Sequence, residues 1–270
     1  MFRNIFASAL LLPAVLFAQQ ESHITLDPIP EFKQDFEKYA EPGIAGKGML
    51  IGRDKNGKRL SKIYSGKSLS QTEGTVAFWI KPLDWNKDTA KGNRLFFDAR
   101  GNNGQMFYIN SFAKQNGSNT LMATVRQDNQ DYHLILPKID WSQNEWHHIA
   151  VSYNQNSFCL YADGKLVKGS KGITFAKPFL RYFLGGDPGW DKGIDGNSVI
   201  DEFQIFKTAL EADVIEYLYE KYARNIQKYN IAQIQLNKMS PVIDGKIAEN
   251  EYSFGGTGFF HLRNRKYSLI

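Results

Sequence analysis

Apolar and polar residues alternate along the middle of the chain in short runs, with the two-residue period that is typical of β-strands. In the first clear run, Val76, Phe78 and Ile80 would face one side of a sheet. The intervening Ala77 and Trp79 would face the other side. Because both sides of this run carry apolar groups, we expect it to form a central strand that is covered on both faces.

Similar strand-length runs follow, with turn residues between them. They lie at residues 94–99, 106–112, 120–126, 132–136, 146–153, 158–162, 182–184 and 199–206. Asp163 and Gly164 separate two of the runs and indicate a hairpin, since a type I′ turn needs a positive φ at both central residues. Many short strands without helices between them predict an all-β, antiparallel sandwich.

A single helix is predicted to close this sandwich at its C-terminal end. Thr208 can cap the helix, and Glu211 stands three residues later, as in a capping box. The four-residue spacing that follows predicts one apolar face, which we expect to pack on the sandwich. That face consists of Leu210, Val214, Leu218 and Tyr222.

The first residues predict an export signal over residues 1–18. Arg3 supplies a positive charge, Ile5–Phe17 is mostly apolar, and Ala18 offers a small residue for cleavage. The run is shorter than the roughly 20 residues that span a bilayer, and no later segment is long and apolar enough. We therefore expect a protein without a transmembrane segment after signal removal, which is secreted, periplasmic or at the cell surface.

Composition adds aromatic content and excludes one class of partner. The chain has 19 Phe, 13 Tyr and 5 Trp, which favours strands because rings pack well on pleated surfaces. The formal net charge is +5, but the basic residues are scattered, as in Arg53–Lys62, and form no clustered stripe. We therefore expect no nucleic-acid partner. Cys159 is the only cysteine, so it cannot form an intramolecular disulfide, and we expect a buried, inert thiol.

Four phrases occur in an order that is specific in combination. They are GTVAFWIKP (74–82), WHHIAVSY (146–153), LYADGKL (160–166) and IDEFQIFKTAL (200–210). Together they resemble laminin G-like domains of the concanavalin A-like lectin and glucanase superfamily. The resemblance implies a jelly-roll sandwich over residues 43–225 and a role in binding a glycan or a cell-surface protein.

The tail, residues 231–270, resembles a different family. Residues 231–236 alternate like a strand, and Pro241–Tyr252 is similar to the opening of carbohydrate-binding domains of family 9. Those domains are much longer than this tail. The resemblance therefore implies the start of a second domain in a multidomain exported protein.

Candidate glycan-binding residues cluster in the glycine-rich loop Gly185–Asn197. Trp190 offers an aromatic face for a sugar, and Asp187, Asp191 and Asn197 offer hydrogen-bonding groups. Trp190 could equally fold back over the edge of the sandwich. Elsewhere Trp79 and Trp146 lie in predicted strands and match core positions of the family, so we expect them to be structural, whereas the pattern leaves Trp85 and Trp141 undecided.

Calcium is a possible cofactor, with Asp187, Asp195 and Asp98 as candidate ligands. Calcium takes about six to eight oxygen ligands, and related domains bind it at the sandwich rim. The spacing of these residues does not match an EF-hand loop. Aspartates also favour turns for conformational reasons, so solvated turn residues are the alternative interpretation.

Catalysis is not predicted for this domain. Retaining glycosidases need two carboxylates about 5 Å apart, and the glucanases of this fold carry them on one face of a strand. Asp201 and Glu202 are adjacent, so we expect them to point to opposite faces. His147 and His148 are adjacent in the same way. The sequence therefore favours a non-catalytic carbohydrate-binding module, with an adhesion module as the alternative and a glycoside hydrolase as the less favoured one.

Overall fold

A computed structural model describes residues 27–89, 92–113, 119–189, 196–238, 258–262 and 265–269, with side chains up to residue 226. The predicted signal, Trp190, Asp191, Asp195 and the segment Pro241–Tyr252 lie outside these residues. Among the described residues, no helix combines the length and the apolar character that crossing a bilayer requires. The strands are β1 (Phe32–Gln34), β2 (Glu41–Pro42), β3 (Lys47–Arg53), β4 (Arg59–Leu60), β5 (Lys62–Ser65), β6 (Gly74–Pro82), β7 (Asn93–Gly101), β8 (Met106–Ala113), β9 (Asn119–Gln127), β10 (Gln130–Leu136), β11 (His147–Tyr153), β12 (Ser157–Ala162), β13 (Lys165–Lys171), β14 (Phe179–Leu184), β15 (Ser198–Phe206), β16 (Gly258–Leu262) and β17 (Arg265–Leu269); the helix is α1 (Ala212–Lys238).

Two antiparallel sheets form the sandwich, as the strand pattern predicts. The nine-stranded sheet runs in the order β13-β12-β11-β6-β15-β3-β2, with β1 added to β15 and β4 added to β3. The six-stranded sheet runs in the order β10-β9-β8-β7-β14-β5. The remaining strands, β16 and β17, form a separate hairpin.

The core lies between the two sheets, and β6 is central, as expected. Val76, Phe78 and Ile80 join the main cluster of buried residues between the sheets. On the other face of the same strand, Ala77 belongs to a second cluster, which includes Ile215 of α1. Because β6 is covered on both sides, its unbroken apolar character is explained.

The predicted hairpin turn is confirmed. Asp163 and Gly164 have φ values of 49° and 77° and connect β12 to β13. A second turn of the same kind joins β9 to β10, where Asp128 and Asn129 have φ values of 50° and 59°. Asn and Asp adopt this left-handed conformation more readily than other residues with a side chain.

The predicted capping box is wrong, although the predicted helix is present. Helix α1 begins at Ala212, where Ile215 N donates to the carbonyl of Glu211 at 3.1 Å. Thr208 instead accepts a hydrogen bond on its carbonyl from Thr75 Oγ1 at 2.9 Å. The helix continues to Lys238, so the strand expected at residues 231–236 is also wrong. Short apolar runs fit both periods, and here the helical continuation prevails.

Residues before the predicted start of the sandwich also belong to the nine-stranded sheet. β1 pairs with β15, with Phe32 opposite Ile205, and the nearby Phe36 is fully buried. β3 pairs with the first half of β15. The domain limits at residues 43 and 225 stay a prediction.

Candidate functional sites

The structure brings Asp187 and Asp98 together, two of the residues that the sequence singled out. Asp187 N donates to Asp98 Oδ2 at 3.3 Å, and Asp187 Oδ1 accepts from Gly189 N at 2.8 Å in a local turn. Asn197, at the other end of the loop, accepts from Arg53 N at 2.7 Å through its side-chain oxygen. That oxygen therefore links the end of the loop to β3. The role of the loop in glycan binding stays a prediction.

Asp98 is fully buried and lies beside an arginine. Its Oδ2 accepts from Arg100 Nη2 at 2.6 Å, while its Oδ1 has no hydrogen-bond partner among the described residues. Burial raises the pKa of this carboxyl, and the hydrogen bond from Arg100 opposes that rise. Among the described residues, no three His, Cys, Asp or Glu side chains lie close enough to hold a metal. Calcium at Asp98, Asp187 and Asp195 therefore stays a prediction.

The outer face of the six-stranded sheet carries a shallow depression of about 250 Å³. We call its lining the sheet face: Asn93, Tyr108, Asn110, Phe112, Thr120, Met122 and Ile135. The strand register brings these residues together, because Phe112 lies opposite Thr120 and Asn110 lies opposite Met122. Their side chains point away from the core, as the two-residue period of a strand requires.

Apolar surface and amide groups lie side by side in the sheet face. Phe112 is 45% exposed and Ile135 is 38% exposed, although both are large and apolar. Asn110 Nδ2 donates to Asn93 Oδ1 at 2.7 Å. Asn110 Oδ1 is buried and lacks a hydrogen-bond partner among the described residues, so the half-buried Asn93 is the member of the pair that a ligand can reach.

A row of polar side chains continues from the sheet face along β9 and β10. Thr124 Oγ1 and His133 Nδ1 lie 2.9 Å apart. Further along, Arg126 makes two hydrogen bonds to the carboxylate of Asp131, at 2.5 and 2.6 Å. The outer side of this sheet therefore offers an aromatic surface at one end and hydrogen-bonding groups at the other.

A larger cavity of about 560 Å³ lies on the opposite side of the sandwich. This helix-side cavity is bounded by residues 42–44 of the β2–β3 turn, Lys81 at the end of β6, residues 144–147, Asp163 and helix α1. Trp146 lies just before β11, is half-buried and lines this cavity. The expectation of a core role is therefore confirmed for Trp79, which is 1% exposed, and wrong for Trp146.

The two undecided tryptophans are both structural. Trp85 is fully buried, and its Nε1 donates to Ser198 Oγ at 2.9 Å. Trp141 is also buried, and its ring stacks on His147 with centroids 4.4 Å apart. Neither ring is available to a ligand.

The adjacent histidines diverge, as expected. His147 Nδ1 lies 2.9 Å from Asp163 Oδ2 at the edge of the helix-side cavity. His148 is buried, with its ring 5.3 Å from that of Trp79. Burial lowers the pKa of His148 to about 4, so this side chain is neutral at pH 7.

Comparison with known proteins identifies the family. The family model described as the concanavalin A-like lectin/glucanases superfamily matches residues 54–216. The chain belongs to this superfamily. The match confirms the laminin G-like resemblance that the four sequence phrases carry.

Solved structures share the fold at low sequence identity. The binding domain of botulinum neurotoxin serotype D/C is 18% identical, with a TM-score of 0.51, over 65% of this chain and 43% of that one. The binding domain of Paraclostridial Mosquitocidal Protein 1 is 19% identical, with a TM-score of 0.52, over 72% of this chain and 47% of that one. The binding domain of botulinum neurotoxin DC in complex with SialylT is 18% identical, with a TM-score of 0.50, over 64% of this chain and 42% of that one. The chain thus spans less than half the length of these proteins, and none of the curated proteins matches it.

The carboxylates Asp201 and Glu202 do not point to opposite faces, which corrects the sequence analysis. Glu202 has a φ of 48° in a bulge that interrupts the register between Asp201 and Gln204. Asp201 Oδ2 accepts from Ala45 N at 3.0 Å, and Glu202 Oε2 accepts from Tyr222 of α1 at 2.7 Å. The bulge adds one residue, so both side chains reach partners on the outer side of the nine-stranded sheet.

Both carboxylates are nevertheless occupied by the protein itself. Asp201 is fully buried and Glu202 is 6% exposed. Lys33 Nζ lies 2.7 Å from Glu202 Oε2, and burial raises the pKa of Asp201 to about 7. These partners hold the 43–46 segment and α1 on the sheet, so the geometry gives the pair a structural role.

Proposed function

We propose that this chain is a carbohydrate-binding module and that its glycan lies on the sheet face. The observation that carries the proposal is the exposed ring of Phe112, which stands beside the Asn93–Asn110 amide pair at a surface depression. Sugar rings present an apolar C–H face and a rim of hydroxyl groups. Sites that bind small molecules match such ligands with aromatic surface and a few placed polar groups.

The amide of Asn93 supports this proposal, because Asn93 is only half-buried and a ligand hydroxyl can hydrogen-bond to it beside the ring of Phe112. The complex of a superfamily-fold binding domain with SialylT is compatible with the same proposal, although that likeness extends only to the fold.

A glycan array probed with the chain tests the proposal. We expect binding to at least one glycan, and we expect Phe112→Ala to weaken it by about tenfold, since most of the exposed ring would be covered by the ligand. Leu166→Ala is the matched control, because Leu166 is 54% exposed on β13 of the other sheet and should not affect binding.

The opposite results would point to other functions or sites. If no glycan binds while the chain captures a cell-surface protein that Phe112→Ala releases, the adhesion alternative is correct. If glycan binding survives Phe112→Ala and is lost in Trp190→Ala, the site is the loop of residues 185–197. Loss of binding on addition of a calcium chelator would support the predicted calcium.

We also propose that the chain is exported and carries further domains. The support is the charged and apolar pattern of residues 1–18 and the resemblance of Pro241–Tyr252 to a carbohydrate-binding domain. Sequencing the amino terminus of the protein outside the cytoplasm should give Gln19 as the first residue. A full-length protein that remains in the cytoplasm would refute the proposal of export.

A further inference from the structure

The helix-side cavity has the dimensions of a ligand site that is separate from the sheet face. Its volume of about 560 Å³ falls within the range of about 300–1,000 Å³ in which small-molecule sites occur. Its walls come from the nine-stranded sheet, the loops at one end of that sheet and α1. The sheet face belongs to the six-stranded sheet, so a ligand in one site would not touch the other.

Two aromatic rings line this cavity. Tyr219 of α1 stacks on the buried Trp79, with centroids 5.5 Å apart and planes at 18°, so its position is fixed. Trp146 is half-buried, and the ammonium of Lys81 lies 5.0 Å from its ring centroid. A half-buried indole in a cavity offers apolar surface that a ligand could cover.

Two donors of the cavity, on Lys81 and Asn225, are only weakly engaged by the protein. Lys81 Nζ donates to the carbonyl of Pro42 at 3.4 Å, and Asn225 Nδ2 donates to the carbonyl of Ile44 at 3.4 Å. Both distances exceed the 2.7–3.2 Å or so of good N–H···O hydrogen bonds. Ligand hydroxyl groups could therefore replace these contacts at little cost.

The charged groups of the cavity are of both signs. Asp163 is engaged through both oxygens, by His147 Nδ1 at 2.9 Å and by His148 N at 2.8 Å. The other charged groups of the lining are the ammonium of Lys81 and the carboxylate of Glu145, so carboxylates outnumber ammonium groups. Donors and acceptors are both present and the carboxylates disfavour an anion, so the lining fits a ligand with several hydroxyl groups and no negative charge.

We propose that the helix-side cavity is a second binding site and that it takes a neutral mono- or disaccharide. The ligand would cover the ring of Trp146 and exchange hydrogen bonds with Lys81, Asn225 and Glu145. This site does not depend on the proposed function of the sheet face, since the two share no residue.

Indole NMR signals of the ¹⁵N-tryptophan-labelled chain test the proposal. The chain has 5 Trp, and Trp146→Phe identifies the signal of Trp146. Glucose, galactose, mannose and their disaccharides are titrated to millimolar concentrations. We expect at least one sugar to shift the Trp146 signal saturably, and Lys81→Met to weaken that binding by about tenfold through the loss of a charged donor.

Matched variants separate this site from general damage and from the sheet face. Lys168→Met on β13 and Phe112→Ala should leave the affinity for the sugar unchanged. Asn225→Leu, at the exposed end of the cavity, should lower that affinity. The proposal is refuted if none of these sugars shifts the Trp146 signal. It is also refuted if Lys81→Met and Asn225→Leu both bind the sugar as tightly as the wild type does. Glycan binding to the sheet face is measured separately, so either proposal can fail alone.

Discussion

Two buried groups, His148 and Asp201, are expected to make the stability of the fold depend on pH in opposite directions. His148 is packed against Trp79, and burial lowers its pKa from 6.5 to about 4. Asp201 holds Ala45 N, and burial raises its pKa from 3.8 to about 7. A difference in pKa between the folded and unfolded chain contributes to stability by linkage, at about 1.4 kcal/mol for each pH unit.

The signs follow from the folded and unfolded pKa values. The lowered pKa of His148 contributes stability that is complete above pH 6.5 and lost as the pH falls to about 4, which corresponds to about 3 kcal/mol. The raised pKa of Asp201 contributes stability that is complete below pH 3.8 and lost as the pH rises through about 7, which corresponds to about 4 kcal/mol. Between pH 4 and pH 6.5 the two contributions nearly cancel.

Urea denaturation followed by tryptophan fluorescence between pH 4 and pH 8 should reveal each contribution. In His148→Gln the free energy of unfolding should increase by a few kcal/mol relative to the wild type as the pH falls from 6.5 to 4. In Asp201→Asn it should decrease by a similar amount over the same range. The other titrating groups are common to all three proteins, so only the difference in slope is interpreted. Identical pH slopes in the three proteins would refute the reasoning.

Three further changes test the turn, the loop anchor and the helix contact. Gly164→Ala should lower the free energy of unfolding by about 1 kcal/mol or more, because the φ of residue 164 is 77° and alanine is strained there. An unchanged midpoint in thermal or urea denaturation would contradict the type I′ turn. Asn197→Ala removes the side-chain oxygen that accepts from Arg53 N and should lower the free energy of unfolding by about 1–3 kcal/mol. Asn197→Asp keeps an acceptor at this position and should lower it less. Tyr222→Phe removes the hydrogen bond to Glu202 and should lower the free energy of unfolding by about 1–2 kcal/mol. Amide exchange in the first turns of α1 should become faster. Unchanged exchange would show that this contact does not hold the helix.

The strands of the sandwich were predictable because their pattern is local. β6 shows its period over nine residues, and Asp163-Gly164 specifies its own turn chemistry. β1 to β5 were not recognised, since the glycines there break the pattern into short pieces. β1, β3 and β5 acquire their pairing from β15 and β14, more than 100 residues away, and β2 and β4 pair with β3. The bulge at Glu202 depends on a positive φ that no preference of glutamate would indicate.

The candidate sites were harder to predict than the fold. Phe112 and Ile135 appear in the sequence as ordinary strand residues, and only the register of β8, β9 and β10 shows that they meet on an exposed face. The helix-side cavity depends on Lys81, Trp146 and Tyr219, which come from three separate segments. Composition did indicate a turn after β14, where Gly185 and Gly186 have φ values of 81° and 82°, whereas the loop as a binding site stays a prediction.

The position of α1 has a practical consequence for binding experiments. Through Ile215 and Leu218 the helix packs on the outer side of the nine-stranded sheet, and in the described part of the chain no helix lies over the sheet face. Glu216 is exposed on α1, whereas Cys159 is half-buried and burial raises the pKa of its thiol. A Glu216→Cys variant should therefore react first with a maleimide surface, which would orient every molecule with its sheet face towards the solution.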